Sequence, residues 1–353
     1  MSLTPCRVKG LGSEARCGTL EVDEDRTHPG GRRIGLRVVL LPAVAPTPEP
    51  DPLFLLAGGP GQSIVEAAPS ILPALERVRR RRDLVLVDQR GTGESHPLDC
   101  DTAPSDAGFV ERVSAKLDPA LFRTCLARYE ADPRHYTTAD AVEDLEAVRK
   151  ALGLSRINLW AASYGTRLAL EYIRRHGSEV RSAVLDGAAP PTQRLPLTFA
   201  PDAQRALDGV FDRCEREPEC ASAFPDLRAR FTQHGNVLRL APRGVTVDEP
   251  TRGGRQTFTL SSDRWTAALR GMLYLPETAS LLPLTLDRAF RGDYGAFAAL
   301  SEQLSSGFAK GMGLGLFASV VCAEDAQGVT PEEVDRAALG TFVGPSLGRE
   351  ILA

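Results

Sequence analysis

The stretch from Ile157 to Gly165, INLWAASYG, passes from an apolar run into a helical pattern through a serine flanked by small residues. A serine at a sharp strand-to-helix turn holds its hydroxyl exposed above a sheet, where it can attack an acyl carbon. The Gly-x-Ser-x-Gly pattern asks for small residues on both sides, so that strand and helix can approach. Here Ala161 stands at the first glycine position and Gly165 at the second. A serine that only caps a helix is the other reading of such a pentapeptide. The strand pattern before it and the helical pattern after it favour Ser163 as the nucleophile.

Attack on an acyl carbon builds negative charge on its oxygen, which two preorganised N–H donors can stabilise. The glycines of Gly58-Gly59-Pro60-Gly61 follow the apolar run 53–57 and offer backbone without a Cβ in the way. One expected donor comes from this glycine turn, and the other is the N–H of Tyr164. No Gly-Lys-Ser/Thr follows these glycines, so a phosphate loop does not fit. A third stretch, DQRGTGES from Asp88 to Ser95, reads as a structured loop in which Arg90 pairs with a carboxylate and takes no part in the chemistry.

The nucleophile needs a base. The chain order for a serine so placed is serine, acid, histidine. The five histidines are His28, His96, His135, His176 and His234, and the first three precede Ser163. His176 stands 13 residues along the helix that starts at the elbow, which is roughly 20 Å away at the helical rise. His234 sits in polar sequence before any returning strand. Asp186 ends an apolar run and reads as a cap of the turn into Gly187. The expectation is that the triad acid and histidine lie beyond Ala353, on strands missing here, and that residues 1–353 alone are hydrolytically near-silent. The partner that completes the site would then be the protein's own C-terminal segment.

The elements that must hold these residues alternate. Apolar runs at 34–41, 53–57, 84–88, 157–161 and 182–186 read as strands, the last four as strands buried on both faces of a parallel sheet. Helical patterns lie between them. The clearest has Thr138 as N-cap, a stripe of Ala141, Leu145, Val148 and Leu152, and Gly153 as its stop. The fold class is α/β with a mostly parallel sheet. After Pro190-Pro191 the alternation stops, and a mainly helical block follows, interrupted by a hairpin with a Gly-Gly turn near 245–260. The expected division is a core over 1–190, an inserted cap over 191–325, and the start of a return to the core over 326–353.

Composition sets limits. A net charge of −4 gives no reason to expect a nucleic-acid partner. The basic run Arg77–Arg82 ends a helical pattern, where it complements the helix dipole. No apolar stretch approaches the ~20 residues of a membrane span. The first ten residues lack the apolar segment of a signal peptide. No cysteine or histidine spacing suits a metal, and no cofactor is expected. Six of the seven cysteines fall into local pairs in polar sequence: Cys6 with Cys17, Cys100 with Cys125, Cys214 with Cys220. Such pairs imply disulfides and a periplasmic or secreted protein; buried free thiols in a cytosolic chain are the other reading. Cys322 is left over.

Taken together, Gly-Gly-Pro-Gly, Asp-Gln-Arg-Gly-Thr-Gly-x-Ser and the Ser-Tyr-Gly elbow resemble the α/β-hydrolases of the prolyl iminopeptidase and tripeptidyl aminopeptidase group, the S33 peptidases. DAVEDLEAVRKALG and VLDGAAPP resemble its secreted bacterial branch. The resemblance covers residues 1–190 well and the rest more loosely. It implies an α/β-hydrolase fold with an inserted helical cap, a peptide substrate with a free N-terminus, and an acyl-enzyme on Ser163 with Gly59 and Tyr164 as the oxyanion hole. A substrate ammonium needs a carboxylate partner, and Glu324 and Asp325 are the expected ones. An esterase using the same serine, and a binding protein that has lost its triad, are the alternatives.

Overall fold

A computed structural model describes residues 1–100, 119–248, 253–309 and 312–353, with the side chains at 119, 121 and 304–309 excepted. Most of the polar stretch between Cys100 and Cys125 lies outside the described residues. The chain divides into two compact units. One comprises residues 1–100, 120–193 and 311–327; the other comprises 101–119, 194–310 and 328–353.

The first unit is built on a seven-stranded sheet. Its strands are β1 Thr4–Cys6, β2 Ala15–Asp23, β3 Arg33–Leu41, β4 Leu53–Leu56, β5 Leu84–Val87, β6 Ile157–Ala162 and β7 Val180–Asp186. They lie in the order β1-β2-β3-β5-β4-β6-β7. The first three run antiparallel, and β3 also meets β5 antiparallel. From β5 through β4 and β6 to β7 the pairing is parallel. β1 and most of β2 are strands that periodicity did not reveal, because they are short or alternate with charge.

Successive residues of β4 feed opposite faces, as the period of two requires. Phe54 and Leu56 join Ala141, Leu145 and Val148 of α3 Thr138–Ala151 and Leu168 of α4 Tyr164–His176. Leu53 and Leu55 join Ile64, Ala68 and Leu75 of α1 Ile64–Arg79 on the other face. A further helix, α2, spans Pro119–Arg128.

Two local expectations change. The N-cap of α3 is Thr137, not Thr138. Thr137 Oγ1 accepts from the Asp140 N–H while the Asp140 carboxylate accepts from the Thr137 backbone, a reciprocal capping box. β7 is not buried on both faces: from Arg181 to Asp186 it is exposed. Among the described residues nothing pairs with its outer edge, and Val184 is 56% exposed.

In the second unit, helices Phe199–Arg216, Leu227–Leu240, Ser262–Met272, Leu282–Phe290 and Gly295–Ala309 share one core centred on the buried Trp265. The expected hairpin is present as β8 Arg243–Asp248 and β9 Arg255–Leu260, with Gly253 and Gly254 both at positive φ; residues 249–252 of the turn are outside the described set. Residues 328–353, expected to rejoin the first unit, instead pack within the second. Val334 and Ala338 of helix Pro331–Ala338 are buried there; Ala338 and Val343 cluster with Ala200 and Ala203. Residues 311–327 belong to the first unit, so the expected boundary at 325 does not match the packing.

The three expected cysteine pairs are disulfide-bonded, with Cα–Cα distances of 5.8, 5.5 and 5.0 Å in chain order. Cys322 is free and exposed. Among the described residues, no helix is long and apolar enough to cross a membrane, and no cluster of side chains suits a metal ion.

Candidate active site

β6 carries the chain to Ser163, and α4 begins at Tyr164. Ser163 has φ 53° and ψ −123°, a conformation that non-glycine residues adopt only when their surroundings impose it. The residue is exposed, and its hydroxyl caps no helix N–H. A helix-capping role for Ser163 is thereby removed.

Close packing explains the small residues. A Cβ added at Gly165 would stand 2.4 Å from the carbonyl oxygen of Leu56 and 2.6 Å from that of Ala57. Ala161 is fully buried, paired with Leu56 on one side and Leu185 on the other. At Gly58 an added Cβ would lie 3.1 Å from Ser163 Cβ. The glycine turn after β4 therefore lies against the serine. Gly59 has φ +111°, and an added Cβ there would meet the Gly61 nitrogen at 2.6 Å, so only glycine fits.

The elbow is tied to its surroundings. Ser163 N–H donates to the carbonyl of Asp186 at 2.8 Å, at the end of β7. Its own carbonyl accepts from Thr166 Oγ1 at 2.6 Å and from the Thr166 N–H at 2.9 Å. Tyr164 buries its ring beside Leu98, Tyr136, Leu316 and Val320. Its hydroxyl shares a hydrogen bond with Thr138 Oγ1 at 2.8 Å and accepts from Gln89 Nε2 at 3.3 Å. Burial, and then the nearby Glu324 carboxylate, push the Tyr164 phenol far above its ordinary range.

Glu324 and Asp325 close a short π-helical turn, Val321–Asp325. Both are engaged. Glu324 accepts from the Thr138 N–H at 2.6 Å and from Thr138 Oγ1 at 2.7 Å, so its carboxylate sits at the N-terminus of α3. Asp325, almost fully buried, meets Arg167 Nη2 at 2.8 Å; Arg167 Nη1 is 3.7 Å from Glu324. One guanidinium thus faces two carboxylates. Arg167 is four residues after Ser163, about 6 Å along the helix axis. Sequence reasoning missed Thr138 and Arg167. Their signal was an arginine on the inward face of a helix and a second threonine beside a cap.

The loop after β5 is a brace. Asp88 is buried and accepts from Ser63 Oγ at 2.7 Å and from the Val65 N–H at 3.1 Å. Burial raises its carboxyl above the ordinary range in spite of those bonds. Arg90 is fully buried and does pair with a carboxylate, that of Asp144 in α3.

No histidine among the described residues bonds Ser163. His28 and His135 both face Asp25, at 2.6 and 3.6 Å. His176 lies 3.5 Å from Glu143 and packs on Tyr172. His234 bonds the Tyr294 hydroxyl within the second unit and packs against Trp265 and Phe290. His96, at φ 52°, follows Ser95, whose Oγ accepts from the Arg37 N–H of β3. Asp186 lends its backbone carbonyl to the elbow.

Residues 51–278 match the family described as the alpha/beta hydrolase fold. Among curated proteins, the chain is 28% identical over 274 residues to serine protease Hip1 of Mycobacterium tuberculosis, covering 70% of this chain and 52% of that protein. It is 30% identical over 302 residues to carboxylesterase B of the same organism, covering 77% and 58%. It is 27% identical over 199 residues to tripeptidyl aminopeptidase of Streptomyces lividans, covering 52% and 37%. The chain thus spans about half the length of the curated relatives it matches first.

Proposed function

The chain belongs to the α/β-hydrolase fold family, and we propose that it forms the major part of a serine aminopeptidase of the S33 type. The observation that carries this reading is Ser163: an exposed serine in a forced conformation between strand and helix, pressed against the glycine turn at Gly58. In the proposed reaction Ser163 Oγ attacks the carbonyl of a peptide near its free N-terminus. The oxyanion is held by the N–H groups of Gly59 and Tyr164. The amine departs with a proton delivered by the base, and water then releases the acyl group.

The base and the acid in this proposal come from outside residues 1–353, on a segment of the protein that pairs with the free edge of β7. Four of the five histidines are engaged elsewhere, which supports that assignment. The two carboxylates of Glu324 and Asp325, which meet Arg167 four residues after Ser163, support selection of a substrate ammonium. A relative named serine protease and another named tripeptidyl aminopeptidase support a peptide substrate, while the one named carboxylesterase B supports the ester alternative. The three disulfides support a periplasmic or secreted location.

The test is a fluorophosphonate probe on the whole protein, read by peptide mass spectrometry, with turnover of peptide and ester substrates in parallel. Modification at Ser163, loss of both by Ser163→Ala, and preference for an unblocked N-terminus are expected. An unmodified Ser163 in protein that still hydrolyses peptides would overturn the assignment, and equal turnover of blocked and unblocked substrates would make it an esterase or endopeptidase.

A further inference from the structure

We infer that Thr166 is a positioning residue for the nucleophile, its buried hydroxyl bridging the elbow to the loop that follows β7. The inference rests on the assignment of Ser163 above. A hydroxyl carries one proton and two lone pairs. Thr166 Oγ1 spends the proton on the Ser163 carbonyl at 2.6 Å and accepts the Ala189 N–H at 2.7 Å. Thr166 is fully buried.

A threonine near the start of a helix often bonds a carbonyl one turn back, and that bond alone would be local. The second bond is not local, since Ala189 is 23 residues further along the chain. With the Ser163 N–H held by the Asp186 carbonyl, both peptide groups of the serine are tied to residues 186–189, the carbonyl through the Thr166 hydroxyl, which adds to the local bond from the Thr166 N–H. The unusual φ and ψ of Ser163 persist only while the surroundings over-determine them. Loss of the bridge leaves the Ser163 carbonyl and the Ala189 N–H without this partner. It lets Ser163 Oγ move relative to the neighbouring Tyr164 N–H, and attack depends on that relation. Valine keeps the shape and removes the bridge; serine keeps the bridge.

The experiment measures the rate of fluorophosphonate attachment to Ser163 in the whole protein, with kcat and KM on a peptide p-nitroanilide. Thr166→Val should lower both the attachment rate and kcat by about tenfold to a hundredfold, the scale of a displacement near 1 Å. KM should change by less than about threefold, since binding is untouched. Thr166→Ser should restore the rate. Ala189→Pro, which removes the loop's N–H and fixes its φ while leaving the sequence of α4 unchanged, should slow attachment in the same direction, and it carries the test if Thr166→Val does not fold. Wild-type attachment rates in Thr166→Val or Ala189→Pro, or no recovery in Thr166→Ser, would overturn the inference. Attachment that survives Ser163→Ala would instead overturn the nucleophile assignment itself, and the inference with it.

Discussion

Arg90 grips Asp144 through two parallel hydrogen bonds, Nε to Oδ2 at 2.6 Å and Nη2 to Oδ1 at 2.7 Å, with both side chains almost fully buried. The remaining nitrogen of the fork donates to the backbone carbonyls of Glu24 and His135. One side chain thereby joins the loop after β5, the end of β2, the segment before α3, and α3 itself. Asp144→Ala should cost about 3–5 kcal/mol, because it strands a buried charge. Arg90→Lys should cost nearly as much, because an ammonium cannot reproduce the fork. Urea unfolding midpoints check both; a shift under about 1 kcal/mol in either would show the pair to be dispensable.

Glu324 and Asp325 should separate in function. Glu324→Gln keeps acceptor capacity toward Thr138 and removes the charge, so kcat/KM for an unblocked peptide should fall about tenfold or more, against little change for an N-acetylated ester. Asp325→Asn leaves the buried Arg167 without its closest partner, and should depress both activities and the melting temperature together. Parallel losses in the Glu324 variant would make that carboxylate a cap of α3 only.

Acid should weaken the first unit through Glu146. Burial alone would raise its carboxyl, but hydrogen bonds from Arg149, Tyr172 and Lys150 hold it down to about 2. A carboxylate with a depressed folded pKa contributes stability above its unfolded value near 4.5 and loses it as the pH falls through 2. The contribution is on the order of 3 kcal/mol. Thermal melts from pH 6 to pH 2 should show that decline in the wild type and a shallower one in Glu146→Gln. Superimposable profiles would refute it.

Reduction should act unevenly across the disulfides. Loop entropy assigns about 2 kcal/mol to the short Cys214–Cys220 link and about 3.5 kcal/mol to Cys100–Cys125. Removing the longer bridge by paired serine substitution should therefore lower the unfolding midpoint more than removing the shorter. Non-reducing peptide mapping tests the pairing itself: free thiols at any of these six positions would contradict it.

Much of this was legible in the residues, and the rest was not for definite reasons. β4, β5 and β6 read as continuous apolar runs because they are buried on both faces, and each matched within a residue or two. β7 reads much the same, yet among the described residues its outer edge is unpaired, and composition does not reveal whether a strand has a neighbour. The elbow was legible because its demands for small residues are local. The partners of Glu324, Asp325 and Arg90 were not, because those bonds join segments far apart in the chain. Residues 328–353 carry a capping box at Thr330 and Glu333, a local helix signal that sequence reasoning passed over and one that says nothing of which unit the helix packs in.

The bond between Thr138 and Glu324 joins residues 186 positions apart. On a ribosome adding roughly 5–20 residues per second, that gap takes about 10–40 s to synthesise. For most of that interval β6, α4 and Ser163 are already made, while the N-terminus of α3 lacks its carboxylate and Arg167 lacks both of its acidic partners. The acidic turn that holds the Arg167 guanidinium is therefore added to a unit whose nucleophile already exists. The surroundings of the elbow are thus completed only when residues 324 and 325 have been made, long after the serine itself.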